Sequence, residues 1–247
     1  MQRYFLELAY KGTAYSGFQI QETGVTIQSA VTDALKTIFR QDFQLTGSSR
    51  TDAGVHAEQN FFHFDTDLDF TEKQVYHLNA VLPKDIAVRQ VRKVKPESHC
   101  RFDALTRSYR YSINPAKDPF LTETAWLYPF SINKDLLVEA ASIILEYTDF
   151  TSFSKRNTQV KTFNCSIDLS QWVERDGLLL YEVRSNRFLR GMIRGLVATM
   201  LKVARGSISL EDLRMILEAK DCSKADFSAP AHGLCLTKVA FPETVFS

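Results

Sequence analysis

The sequence predicts an α+β protein made of two similar halves, each an antiparallel or mixed sheet with helices packed on one face. Two observations carry this. Apolar stretches alternating with period two recur along the chain, with amphipathic stretches of helical period between them. The order strand, long loop, helix, hairpin then runs once from Arg3 and again from Thr106, without matching residues, as a duplicated unit would. A chain of 247 residues can hold one large domain or two modest ones, and the expected division is 1–105 and 106–247.

Composition narrows the class. With 45% hydrophobic and 24% charged residues the chain reads as an ordinary globular protein. No apolar run approaches the roughly 20 residues a membrane span requires. The opening MQRYFLELAYKG reads as a strand rather than a signal peptide, so no membrane association and a cytoplasmic location are expected. Cys100, Cys165, Cys222 and Cys235 stand far apart without a CxxC pair, and the histidines are scattered, which argues against zinc and for reduced thiols. Lys plus Arg number 30 against 29 for Asp plus Glu, so any nucleic-acid site must come from clustering rather than bulk charge. Such clusters lie at Arg89 to Lys95, at Arg101, Arg107 and Arg110, and at Arg184, Arg187, Arg190 and Arg194.

Taken in order, Arg3 to Tyr10 is an alternating strand, followed by a loop of aromatics between glycines, KGTAYSGFQ. Ile27, Ala30, Val31, Ala34, Leu35 and Ile38 fall on one helical face, with Thr26 as the cap. Gln59 to Thr66 alternates as a strand with one buried face. Asp65, Asp67 and Asp69 mimic a calcium loop, but Phe70 stands at the glycine position and Tyr76 where the bidentate Glu belongs, so calcium is rejected. Thr71 to Leu82 is a helix stopped by Pro83, and Asp85 to Lys95 a strand with a basic face.

In the second half, Phe102 to Ile113 contains Arg107-Ser108-Tyr109-Arg110-Tyr111. Period two puts Arg107, Tyr109 and Tyr111 on one strand face, a pattern that suits either a stacked RNA base or a half-buried core. Asn133 to Glu146 is a helix with Leu137, Ala140, Ala141, Ile144 and Leu145 inward. Cys165, Ile167 and Leu169 alternate along a strand, Asp176-Gly177 is a hairpin turn, and Leu178 to Val183 returns. A helix opens at Asn186 and runs to about Ala204, with Phe188, Met192, Leu196 and Thr199 on one face. Ser209 starts a short last helix, and the chain closes on a strand after Ala229-Pro230-Ala231-His232-Gly233.

The stretch with the most chemistry is Gly47-Ser48-Ser49-Arg50-Thr51-Asp52-Ala53-Gly54-Val55-His56. Small residues and two glycines frame one carboxylate, Asp52, and one guanidinium, Arg50. On residue types alone this is either a β-turn or a loop presenting a reactive acid.

GSSRTDAGVHA resembles the core motif of the TruA family of tRNA pseudouridine synthases, usually written GxGRTDAGVHA, with Ser49 at the second glycine. KGTAYSGFQ is similar to that family's YDGTxYxGWQ, DFTSF to its HDFxSF, RFLRGMIR to its xFLxxMVR, and APAHGLCL to its closing APAxGLxL. The resemblance covers nearly the whole chain in order. It implies a pseudouridine synthase fold whose halves join around a central cleft, with Asp52 catalytic, Tyr109 against the target base and Arg194 paired with the aspartate. Arg50 would hold the flipped nucleotide's backbone, and Arg107, Arg110, Arg187 and Arg190 are supporting RNA-binding candidates. The partner implied is tRNA, modified at uridines 38, 39 and 40 of the anticodon stem-loop by a homodimer. The reaction breaks a glycosidic C–N bond and rejoins the uracil through C5 without redox change, so neither cofactor nor metal is implied. Two rivals share parts of the pattern. A non-catalytic RNA-binding protein would keep Tyr109 and the basic clusters but needs no Asp52, and a glycosidic hydrolase would need a second carboxylate, for which only Glu58 is near.

Overall fold

The computed structural model describes residues 1–156 and 160–246. In chain order the first elements are β1 (Gln2–Tyr10), α1 (Ile27–Phe39), β2 (Thr46–Gly47), β3 (His56–Thr66), α2 (Glu72–Val81) and β4 (Ile86–Val94). Then come β5 (Thr106–Asn114), β6 (Trp126–Leu127), α3 (Lys134–Ile144), β7 (Ile167–Arg175) and β8 (Leu178–Ser185). The chain ends with α4 (Met192–Ala204), α5 (Leu210–Glu218) and β9 (Leu234–Ala240). They form two compact units, Met1–Thr106 with Cys235–Ser247, and Arg107–Leu234.

In the first unit the strand order is β4-β1-β3-β9, with β2 pairing β3. All these pairs are antiparallel except β3 with β9, which run parallel. Helix α1 starts where expected: the Thr26 hydroxyl accepts from the Ser29 backbone N–H and the Ser29 hydroxyl accepts from Thr26 in return. It buries Ile27, Val31, Ala34 and Leu35. Strand β3 departs from its expected one-sided character, because Phe61, Phe62, His63 and Phe64 are all buried. Phe241 and Phe246, from the far end of the chain, supply the second cover: Phe241 lies 5.3 Å from the Phe5 ring and 5.0 Å from Phe61. Apolar cover on both faces removes the polar side that alternation implies.

In the second unit β5, β8 and β7 run antiparallel in that order, with β6 parallel to β5. Asp176 and Gly177 both take positive φ (53° and 76°), as a two-residue hairpin turn requires. Three local expectations shift. The helix expected from Asn186 begins at Met192, since Gly191 at φ 75° breaks the run, so Arg187 and Arg190 precede the helix. Leu145 is the exposed residue ending α3, and Ile143 packs inward instead. A register shift between Ile167 and Leu169 leaves both half-exposed and turns Ser170 and Trp172 inward. Helix α4 is buried on all sides apart from Arg194 and Lys202, so it is the core of its unit and Arg194 is a deliberate polar exception. Among the described residues no helix is long and apolar enough to cross a membrane.

Candidate active site

Each unit arranges its own share of the residues singled out above. In the first, the loop between β2 and β3 is held at successive points. Ser48 N donates to Phe61 O at 2.8 Å, and Phe18 N donates to Thr51 O at 3.1 Å. The Thr51 hydroxyl lies 2.8 Å from the Tyr10 hydroxyl. The Asn60 amide joins both sides, donating to Tyr10 Oη at 3.1 Å and to Ser49 O at 2.9 Å. Val55 N closes the turn on Asp52 O at 3.2 Å. Gly12 packs so tightly beneath it that a Cβ there would stand 2.0 Å from Val55 O. The Gly12 N–H donates to Nδ1 of His56 at 3.0 Å, which places the imidazole proton on Nε2. Asp52 is thus a half-buried carboxylate on an immobilised backbone, and Arg50, two residues before it, is exposed.

In the second unit Tyr109 lies on β5 at 8% exposure, its ring edge-on to Phe188 with centroids 5.2 Å apart. That contact fixes the plane of the phenol ring. Two residues on, Tyr111 is fully buried and donates to Pro230 O at 2.8 Å. Burial pushes its phenol well above the usual tyrosine range, with the nearby Arg194 charge pulling the other way. Arg194 Nε donates to Ala229 O at 2.6 Å. One segment, Ala229-Pro230, therefore holds both side chains. Arg107 Nη1 donates to Asn186 O at 2.9 Å, while Arg110 stands opposite Glu182 in the β5–β8 register. Arg187 is half-buried, with its backbone N–H on the Ser185 hydroxyl at 3.4 Å, and Arg190 is exposed, its carbonyl accepting from Lys155 N.

The supporting residues His56, Tyr10, Asn60, Phe188 and Tyr111 were not singled out for the site by sequence. His56 belongs to the loop motif and Tyr111 to the Tyr-x-Tyr pattern, so both carried a signal. Tyr10, Asn60 and Phe188 act through contacts distant in the chain. Among the described residues no group of three His, Cys, Asp or Glu side chains is placed to hold a metal ion. Among the described residues no disulfide joins the cysteines, and burial pushes the Cys165 thiol up to about 11.

A family model described as tRNA pseudouridine synthase matches residues 8–103 and 147–242. Proteins named tRNA pseudouridine synthase A are similar over the full length. That of Parabacteroides distasonis is 42% identical over 100% of this chain and 98% of its own. That of Bacteroides thetaiotaomicron is 44% identical over 100% and 93%. That of Staphylococcus aureus is 37% identical over 98% and 92%. With a family model matching a stretch of each unit and relatives 42–44% identical over the whole chain, the chain belongs to the tRNA pseudouridine synthase family.

Proposed function

We propose that this protein converts uridine to pseudouridine in tRNA at positions 38, 39 and 40 of the anticodon stem-loop, with Asp52 as the group that acts on the ribose. The observation that carries this reading is the immobilised loop: Gly12, Tyr10, Phe18 and Asn60 fix the backbone on both sides of a half-buried Asp52. Rigid placement of one carboxylate suits attack at C1′ or removal of a sugar proton, steps that depend on distance and angle.

The target uridine must leave its stack, at a cost of a few kcal/mol. Stacking on Tyr109, held edge-on by Phe188, recovers about 1–3 kcal/mol of this. The N1–C1′ bond breaks, the uracil turns while bound, and a C5–C1′ bond forms. The C5 proton is then lost and N1 gains one, so the product is an isomer and nothing else is consumed. Asp52 acts as the anion, and Arg194 is its charge partner in this proposal. With Nε committed to Ala229 O, Arg194 offers a carboxylate only its terminal nitrogens. Tyr111 keeps its proton and serves as a donor to Pro230 O, and Tyr109 is the phenol that accepts the C5 proton in this proposal. Arg50 holds the flipped nucleotide's backbone, and Arg107, Arg110, Arg187 and Arg190 meet phosphates. The protein works in the cytoplasm as a homodimer, which sedimentation equilibrium would report as a mass of two chains.

The test is a map of pseudouridine in tRNA from cells with and without this protein, read by carbodiimide modification and reverse transcription. Loss of the signal at 38, 39 and 40 is expected. An unchanged map would overturn the assignment of target.

A further inference from the structure

A small cavity of about 190 Å³ opens in the first unit beside the Asp52 loop. Gln19, Gln28, Arg50, His99, Arg101 and Phe102 line it. Drug-sized ligands occupy roughly 300–1,000 Å³, so this space suits a single planar group. The turn at its mouth is closed twice: Asp103 N donates to His99 O at 3.0 Å, and His99 N donates to the Asp103 carboxylate at 2.7 Å. That turn presents Phe102 at 74% exposure. One exposed aromatic is ordinary. Its surroundings are not: the His99 ring lies 4.2 Å from the Phe102 ring at 33°, and the Arg101 guanidinium stands 5.7 Å over it.

His99 is held as a stacking group. Its Nδ1 accepts the backbone N–H groups of Arg101 at 3.1 Å and Phe102 at 3.3 Å. Burial lowers its pKa from the usual histidine range, against the raising pull of Asp103, so the ring is neutral at neutral pH. Gln28 is a wall, since its amide accepts from Ile20 N and donates to Leu45 O. The cavity therefore combines a stacking ledge with two guanidinium groups, Arg50 and Arg101, of which Arg50 belongs to the catalytic loop. Aromatic faces with phosphate-binding cations form the standard surface for an unpaired nucleotide, and one that tolerates different bases.

We infer that this cavity binds one unpaired nucleotide of the substrate RNA other than the target uridine, its base on Phe102 and its phosphate against Arg101, with Arg50 at the cavity edge left to the flipped target nucleotide's backbone. The inference rests on the proposed action on tRNA. It gives the protein a second grip on RNA that holds whatever the sequence around the target.

The test compares wild type, Phe102→Ala and Phe102→Trp as full chains with an unmodified tRNA transcript. Filter binding and single-turnover release of tritium from uracil C5 are measured, with thermal unfolding to confirm folding. The alanine variant should lose roughly 5- to 150-fold in tRNA affinity. The tryptophan variant should stay within about twofold of wild type, and its added emission should be quenched as tRNA saturates, as stacking requires. Affinity of the alanine variant within twofold of wild type, or an unquenched tryptophan, would overturn the inference. If wild type binds tRNA in a Phe102-dependent way yet releases no tritium, the inference stands and the proposed function falls. If wild type turns over and Phe102→Ala binds normally, only the inference falls. No tRNA binding by wild type would overturn both.

Discussion

Arg194 and Tyr111 grip successive carbonyl groups of one segment, Arg194 Nε on Ala229 O at 2.6 Å and Tyr111 Oη on Pro230 O at 2.8 Å. The two side chains come from a helix and a strand that meet only in the folded unit, and the segment they hold is joined to β9 by one short turn, Ala231–Gly233. A guanidinium fixed at Nε is aimed rather than merely charged. Its position depends on the Ala229-Pro230 carbonyls staying where Tyr111 keeps them.

Tyr111→Phe should cost about 0.5–1.5 kcal/mol, because the part-buried Pro230 carbonyl loses its donor. Urea unfolding measures this. Arg194→Lys keeps the charge and loses the Nε bond, and turnover should drop on the order of 100-fold while tRNA affinity changes little. A lysine variant within threefold of wild type in kcat would show that charge alone suffices.

Gly12→Ala tests the support under the Asp52 turn. With Val55 O only 2.0 Å from the new Cβ, the backbone must move, at about 1–3 kcal/mol for such overpacking. Turnover should fall more steeply than stability, since the displaced turn carries Asp52. Gly177→Ala is the control: it has positive φ but nothing within 4 Å, so about 1–2 kcal/mol of backbone strain should leave activity alone. Equal loss of activity in both would contradict a special role for Gly12.

His63 makes stability depend on acid. Its ring is buried, with Nδ1 3.2 Å from Cys100 Sγ, and burial first, then the neighbouring His99 and Arg3 charges, bring its pKa down to about 4. Between pH 6.5 and 4 the unfolded chain binds a proton there that the folded chain refuses, so stability falls as pH falls through this window. His99, lowered for the same reason, acts in the same direction. The urea midpoint should decline from pH 7 to 4.5, and His63→Gln should flatten that decline. An unchanged slope in the variant would remove His63 as its source.

Much of the fold was legible because its signals are local. Thr26 and Ser209 cap the helices they precede, Pro83 ends the run after α2, and Asp176-Gly177 turns the hairpin, each through bonds or dihedrals within a few residues. What escaped depends on distant parts of the chain. Alternation in β3 predicts one buried face, and only Phe241 and Phe246 explain two. The grouping of Cys235–Ser247 with the first unit left no mark in composition. In the site, Asp52 stood out because a turn motif surrounds it, whereas Asn60 reads as an ordinary strand residue and Phe188 as a residue on a helix face until their partners Tyr10 and Tyr109 are in place. Gly191 misled the helix start because a glycine inside an apolar pattern reads as tolerated until its φ is known.

The account turns on Asp52, and the most direct measurement is tritium release from tRNA labelled at uracil C5 by the Asp52→Asn variant, alongside its tRNA affinity. Loss of turnover by at least a thousandfold, with affinity within about threefold of wild type, is the predicted result, since a missing nucleophile or base removes the chemical step rather than binding. Release within tenfold of the wild-type rate would contradict it and move the chemistry to another residue.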